Sequence, residues 1–131
     1  MGSYDIEIIL NRQLADCLSI PVFITDTVGN LIFYNEPAEK ILGTSFENTG
    51  EMPVSVWGRI FKPLDEKGKP LAPEHLPLVK TINDRLPHHR VFWIESLRGS
   101  AEKISVTSYP VIGRTGAFLG AVAIFWESKD S

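Results

Sequence analysis

The chain has 131 residues, 44% of them hydrophobic and 22% charged, which is the size and balance of one ordinary globular domain. Its formal net charge is −3, with Lys and Arg scattered singly, so it has no basic footprint for nucleic acid, and His88-His89-Arg90 is too short a cluster to supply one. No apolar run approaches the ~20 residues of a bilayer span, no secretory leader is evident, and the lone Cys17 has no Cys-x-x-Cys partner, which excludes an internal disulfide and a cysteine zinc site. The expectation is a soluble, cytoplasmic domain without membrane contact. Met1-Gly2-Ser3 and the polar tail Lys129-Asp130-Ser131 read as ends cut from a longer protein.

From Tyr4 to Leu18, Ile6, Ile9, Leu10, Leu14, Cys17 and Leu18 recur at spacings of three and four, the pattern of an amphipathic helix. Its stripe suits packing on its own core and binding a partner equally well. Val22–Thr25 and Leu31–Tyr34 read as strands joined by a turn at Asp26, Gly29 and Asn30. Asn35 then predicts an N-cap, Glu36 and Pro37 a first turn, and Gly43 a left-handed stop. Val54, Trp57 and Phe61 predict a short helix ended by Pro63, and Asp65-Glu66-Lys67-Gly68 a loop. A central helix starting at 75–77, after Pro70 and Pro73, would bury Val79, Ile82 and Leu86. Arg90–Leu97, Lys103–Val111 and Ala117–Trp126 read as three strands, separated by Arg98-Gly99-Ser100 and Gly113-Arg114-Thr115-Gly116. The plan is α+β with an antiparallel sheet.

That order resembles the PAS (Per-Arnt-Sim) sensory domain family, bacterial type, over about residues 19–127. The match is sharpest in "FITDTVGNLIFYNEPAEKILG", where Asp26, Gly29 and Asn35 occupy the structural signature positions. "DEKGKPLAPEHLPLVKTI" resembles the segment leading into the family's central helix, and "ISVTSYPVIGRTGAFLGAVAIFWE" its last hairpin. The resemblance implies a five-stranded sheet in the order 2-1-5-4-3, with short helices over one face and the N-terminal amphipathic helix outside the body. It implies three parts: residues 1–18 as that helix, 19–128 as the PAS domain, and 129–131 as the start of a linker to an output domain. The family's last strand is often followed by Asp-Ile-Thr. Here Trp126 is followed by Glu127-Ser128-Lys129, so the output junction is inferred.

No catalytic constellation is visible: there is no nucleophile elbow, no His-Glu-x-x-His and no phosphate-cradling glycine loop. Neither haem nor flavin is expected as a cofactor. His75 sits between Pro73 and Pro77 at a helix start, a poor place for an iron ligand, and nothing approximates the reactive-cysteine helix of light-oxygen-voltage domains. His88 and His89 point to opposite faces of a strand, so they do not form a joint metal site. What remains is a cavity argument. In the last strand Phe118, Gly120, Val122, Ile124 and Trp126 alternate with Leu119, Ala121, Ala123 and Phe125, and both sets are apolar. By analogy with the family, the first set faces the covering helices and the second the N-terminal helix. A small, mostly apolar ligand would then meet Trp57, Phe61, Val79, Ile82, Trp93, Ile104, Val106, Ser108, Val122 and Ile124. A packed, dry core is the competing expectation. The chain reads as a non-enzymatic regulatory module of a larger signalling protein that relays ligand or partner state to an output domain. A ligand-free homodimerisation and relay module is the alternative, with Ile6, Ile9, Leu10 and Leu14 as the dimer interface. An enzyme on the same scaffold ranks third.

Overall fold

The computed structural model describes residues 5–61, 63–95 and 101–127. The ends outside these ranges, Tyr4 included, and the turn expected at Arg98-Gly99-Ser100 after Leu97 lie outside the described residues. In chain order the elements are α1 (Ile6–Cys17), β1 (Val22–Thr25), β2 (Leu31–Tyr34), α2 (Glu36–Leu42), α3 (Phe46–Thr49), α4 (Val54–Phe61), β3 (Pro63–Leu64), α5 (Pro77–Asp84), β4 (His88–Glu95), β5 (Ala101–Ile112) and β6 (Phe118–Glu127). A single 3-10 turn, Pro73–His75, leads into α5.

Among the described residues the sheet has six strands, ordered β2-β1-β6-β5-β4-β3 and antiparallel at every pairing. This corrects the expected count of five. The extra strand is the two-residue β3, whose Pro63 and Leu64 pair with Ile94 and Trp93 at the edge of β4. Without β3 the order is the expected one. A two-residue strand carries no alternation that a sequence pattern could detect, and proline at a sheet edge costs no ladder bond.

Three turns share one construction. Asp26 accepts from the backbone N–H groups of Val28 and Asn30 at 3.0 and 2.9 Å, and Gly29 follows with φ 97°. Asp65 accepts from Lys67 and Lys69 at 2.8 and 2.9 Å, and Gly68 follows with φ 77°. Gly113–Ala117 repeats the backbone pattern, with Gly113 N–H donating to the Ala117 carbonyl and Gly116 N–H to the Gly113 carbonyl. Glycine meets the positive φ in all three, Gly116 at 82° in the last, and in the first two the aspartate satisfies amides that would otherwise lack acceptors.

One core lies between the sheet and α2–α5 and includes Phe23, Tyr34, Trp57, Leu78, Phe92, Val106 and Phe125. The other lies between the opposite face and α1 and includes Ile8, Ala15, Val22, Ile24, Phe33 and Val122. Gly120 sets the spacing between β6 and β1, because a Cβ there would overlap the Thr25 carbonyl oxygen and crowd Ile8 at 3.3 Å.

Candidate functional site

The joint between α1 and the body is Asn35. It is 2% exposed, and its side-chain oxygen accepts from Ala38 N–H at 3.2 Å, capping α2, and from Val22 N–H at 3.0 Å. Its amide NH2 donates to the carbonyls of Ala15 and Ile20, both at 2.9 Å. One side chain thus uses its full capacity to tie the last turn of α1, the linker, β1 and α2 together. The sequence showed the cap; it held no signal for the other three bonds.

α1 docks by its less apolar side. Ile8 and Ala15 are buried, Tyr109 donates its hydroxyl to Asn11 Oδ1 at 3.1 Å, and the Arg12 guanidinium lies 4.7 Å over the Phe33 ring. Burial also pushes the Tyr109 phenol above its ordinary pKa. The stripe found in the sequence faces outward: Ile6, Ile9, Leu10 and Leu14 are 61, 42, 55 and 55% exposed. Cys17, seven residues after Leu10, is exposed as well.

Between the sheet and the helices lies a cavity of about 20 Å³ lined by side chains of Phe23, Trp57, Leu76–Leu78, Phe92, Val106 and Phe125. That volume accommodates one water-sized body, and an all-apolar lining keeps such a space dry. Trp57 and Val106 were expected here. Trp57 is held by its indole N–H, which donates to the Gly29 carbonyl at 2.9 Å. Ile104 packs in the same core, with Val79, Ile82 and Trp93 partly buried against it. Phe61 ends α4; its side chain lies outside the described residues. Trp93 sits beside Leu64 and the Asp65–Gly68 turn, with the Lys103 ammonium 5.8 Å from its ring centroid, and does not line the cavity.

Two assignments are corrected. Val122 and Ile124 belong to the α1 side, while Ala121, Ala123 and Phe125 face the helices. Directly paired residues share a face, and Val106 pairs with Phe125, Ser108 with Ala123 and Tyr109 with Val122. Val106 and Val122 therefore cannot line one pocket. On α5 the buried positions are Pro77, Leu78 and Thr81, with Leu78 and Thr81 one step off the Val79, Ile82, Leu86 series. Leu86 lies beyond the left-handed Arg85 (φ 61°) and is exposed. The missed signal is the Leu78–Thr81 spacing, concealed because Thr81 is polar.

Thr81 explains its burial through hydrogen bonding. Its hydroxyl donates to the Leu86 carbonyl at 2.9 Å and lies 2.6 Å from Ser108 Oγ. Since its one proton goes to Leu86, Ser108 donates to Thr81. The Ser108 proton is therefore already committed. Beside it, Asp84 pairs with His88 at 2.7 Å. Desolvation opposes ionisation of Asp84, but the Leu86 N–H and His88 outweigh it and hold the carboxyl below its ordinary pKa.

His89 lies on the opposite face from His88, 2.8 Å from the Thr107 hydroxyl and beside the Trp126 ring. His75 is exposed on the 3-10 turn. Among the described residues no group of three or more His, Cys, Asp or Glu side chains is placed to hold a metal ion, and no helix is long and apolar enough to cross a membrane.

A comparison with curated proteins gave no match. Among solved structures, the PAS domain of Bordetella pertussis BvgS superposes with a TM-score of 0.72 at 13% identity, covering 96% of this chain and 89% of that one. A PAS domain from Colwellia psychrerythraea gives 0.63 at 20% identity, covering 95% and 98%. The Rhodobacter sphaeroides LOV protein gives 0.70 at 15% identity, covering 95% and 69%. At these identities the likeness is one of fold. The sequence profile described as PAS domain matches residues 10–77, from the middle of α1 through the Asn35 joint to the start of α5. With that match over more than half of its length, and with this fold, the chain belongs to the PAS domain family.

Proposed function

We propose that this PAS domain is a non-catalytic sensory and regulatory module, residues 19–128, joined through a linker beginning at 129–131 to an output domain in a longer cytoplasmic protein. The observation that carries this reading is the outward stripe of α1. A helix that turns Ile6, Ile9, Leu10 and Leu14 to solvent while docking through Asn11 and Arg12 leaves its apolar side for a partner. A second copy of the chain is that partner, and the pair forms along α1. Because Asn35 bonds to both α1 and the sheet, a change in sheet packing biases α1 and the attached chain. The mechanism is a population shift between two packings.

Sedimentation velocity of wild type and Leu10→Glu/Leu14→Glu tests this. Concentration-dependent dimers are expected for the first and monomers of unchanged helicity for the second. A double variant that dimerises like wild type rules α1 out as the interface. Mild oxidation offers an independent check, since a parallel α1 pair brings the two copies of Cys17 together and yields a covalent dimer.

An interior ligand is the second reading, favoured by the apolar cavity beside Trp57. Its size limits that reading: small-molecule pockets typically enclose ~300–1,000 Å³, so a metabolite would have to open this core. Val106→Ile fills the cavity. Dimerisation and output unchanged by that substitution support the ligand-free relay; loss of output with the dimer intact supports an interior ligand.

A further inference from the structure

A second recess lies where the sheet ends. β1 begins at Val22, which pairs with Ile124, so Phe125 and Trp126 run past the start of their neighbouring strand. A single backbone bond, Phe125 N–H to the Pro21 carbonyl at 3.0 Å, closes the corner. The result is a groove of about 250 Å³ between this corner and α2. Buried Ile104 and Phe125 form its floor, and Ile41 and the 40% exposed Trp126 its walls. Pro21, Pro37 and the exposed Ser19 complete the sides, the two prolines contributing no backbone N–H. Lys40, in the last turn of α2, is the only charged residue lining it. Among the described residues Lys40 has no ion-pair partner.

We propose that this groove binds a small amphipathic carboxylate, its apolar tail along Ile104, Phe125 and Trp126 and its head on the Lys40 ammonium. A phosphate is disfavoured, since phosphate sites gather several donors, with Arg or helix N-terminal amides among them, and here the lining offers one ammonium and the Ser19 hydroxyl, with no Arg. The volume falls just below the usual range for ligand pockets and suits a tail of about six to eight carbons. The site is separate from the interior cavity, and Phe125 is their common wall. The Phe125 ring centroid lies 4.7 Å from that of Phe23 in the main core. Occupancy of the groove therefore presses on the core from outside, through the end of β6.

Titration of the full chain with octanoate, followed by two-dimensional amide and indole NMR, tests the proposal. Saturable shifts are expected at Ile41, Phe125 and the Trp126 indole, with a Kd on the order of 1 mM for so small a ligand. Octanamide, the neutral probe of the same shape, should bind roughly fivefold more weakly, the scale of one exposed ion pair. Lys40→Gln should abolish the difference between the probes, and Trp126→Ala should weaken both about tenfold. Lys40 lies at the surface end of α2, and an unchanged amide spectrum confirms the variant's fold. Absence of saturable shifts, shifts centred on Trp57 and Leu78, or a carboxylate preference that survives Lys40→Gln would each overturn the assignment.

Discussion

The two faces of the sheet are covered in different ways. Toward α2–α5 the cover is aromatic and closely packed: Phe23 meets Tyr34 and Phe125, Tyr34 meets Phe46, and Trp57 is pinned by its indole N–H. Toward α1 it is a single helix seated by two buried side chains and polar anchors, with its apolar stripe turned away. Burying a large apolar side chain contributes ~1.5–3 kcal/mol, so the first face holds most of the stability. The second has an apolar core too, but α1 adds only Ile8 and Ala15 to it and is otherwise seated by directional bonds that a competing arrangement can exchange for others. On the proposed relay reading, this asymmetry lets one face keep the fold while the other changes its packing.

Gly120→Ala strikes where β6 packs against β1 and α1, since the new Cβ runs into the Thr25 carbonyl and the Ile8 side chain. It should cost about 3 kcal/mol or more, through overpacking against backbone that has no room to yield. Urea unfolding measures it, and a loss below about 1 kcal/mol would mean that β1 and β6 separate easily.

Asn35→Ala removes four bonds from buried or half-buried groups. About 2–3 kcal/mol is expected, more than the ~1 kcal/mol of a lost cap alone. Hydrogen exchange separates the components. If the amides of α1 stay as protected as in wild type, Asn35 caps α2 without holding α1.

Thr25→Val should act with opposite sign. The Thr25 hydroxyl is buried without a hydrogen-bond partner, so an apolar replacement of the same shape should raise stability by about 1 kcal/mol. A destabilised variant would show that the hydroxyl has a partner in solution.

The smallest effect concerns acid. The Asp65 carboxyl is held below its ordinary pKa, chiefly by the Lys69 N–H and then by the Lys67 N–H and the neighbouring lysine charges. A carboxylate depressed in the folded state contributes stability that is complete above its unfolded value of about 3.9 and is lost as pH falls through the folded one. Wild type should therefore lose more stability than Asp65→Asn between about pH 5 and 2. Parallel curves for the two proteins would count against the turn as a source of acid sensitivity.

Most local punctuation was legible in the sequence because it is written within a few residues. Asn35 and Gly43 bound α2, and Asp26 with Gly29 builds its turn from its own side chain and backbone. The small α3 was not legible. Its N-cap Ser45 accepts from Asn48 N–H, but four residues carry no helical period.

By itself, then, the sequence determined the order of the longer elements, most caps and turns and the existence of an apolar stripe on α1, all of which depend on contacts close along the chain. Tertiary structure alone decided which way that stripe faces and which side of β6 meets the helices. A strand apolar on both sides leaves its face undetermined, and the choice is made by pairing Val106 with Phe125, residues far apart in the chain. It also decided that Asn35 reaches back to Ala15, because the carbonyls it serves become neighbours only after the sheet has formed and α1 has folded across it.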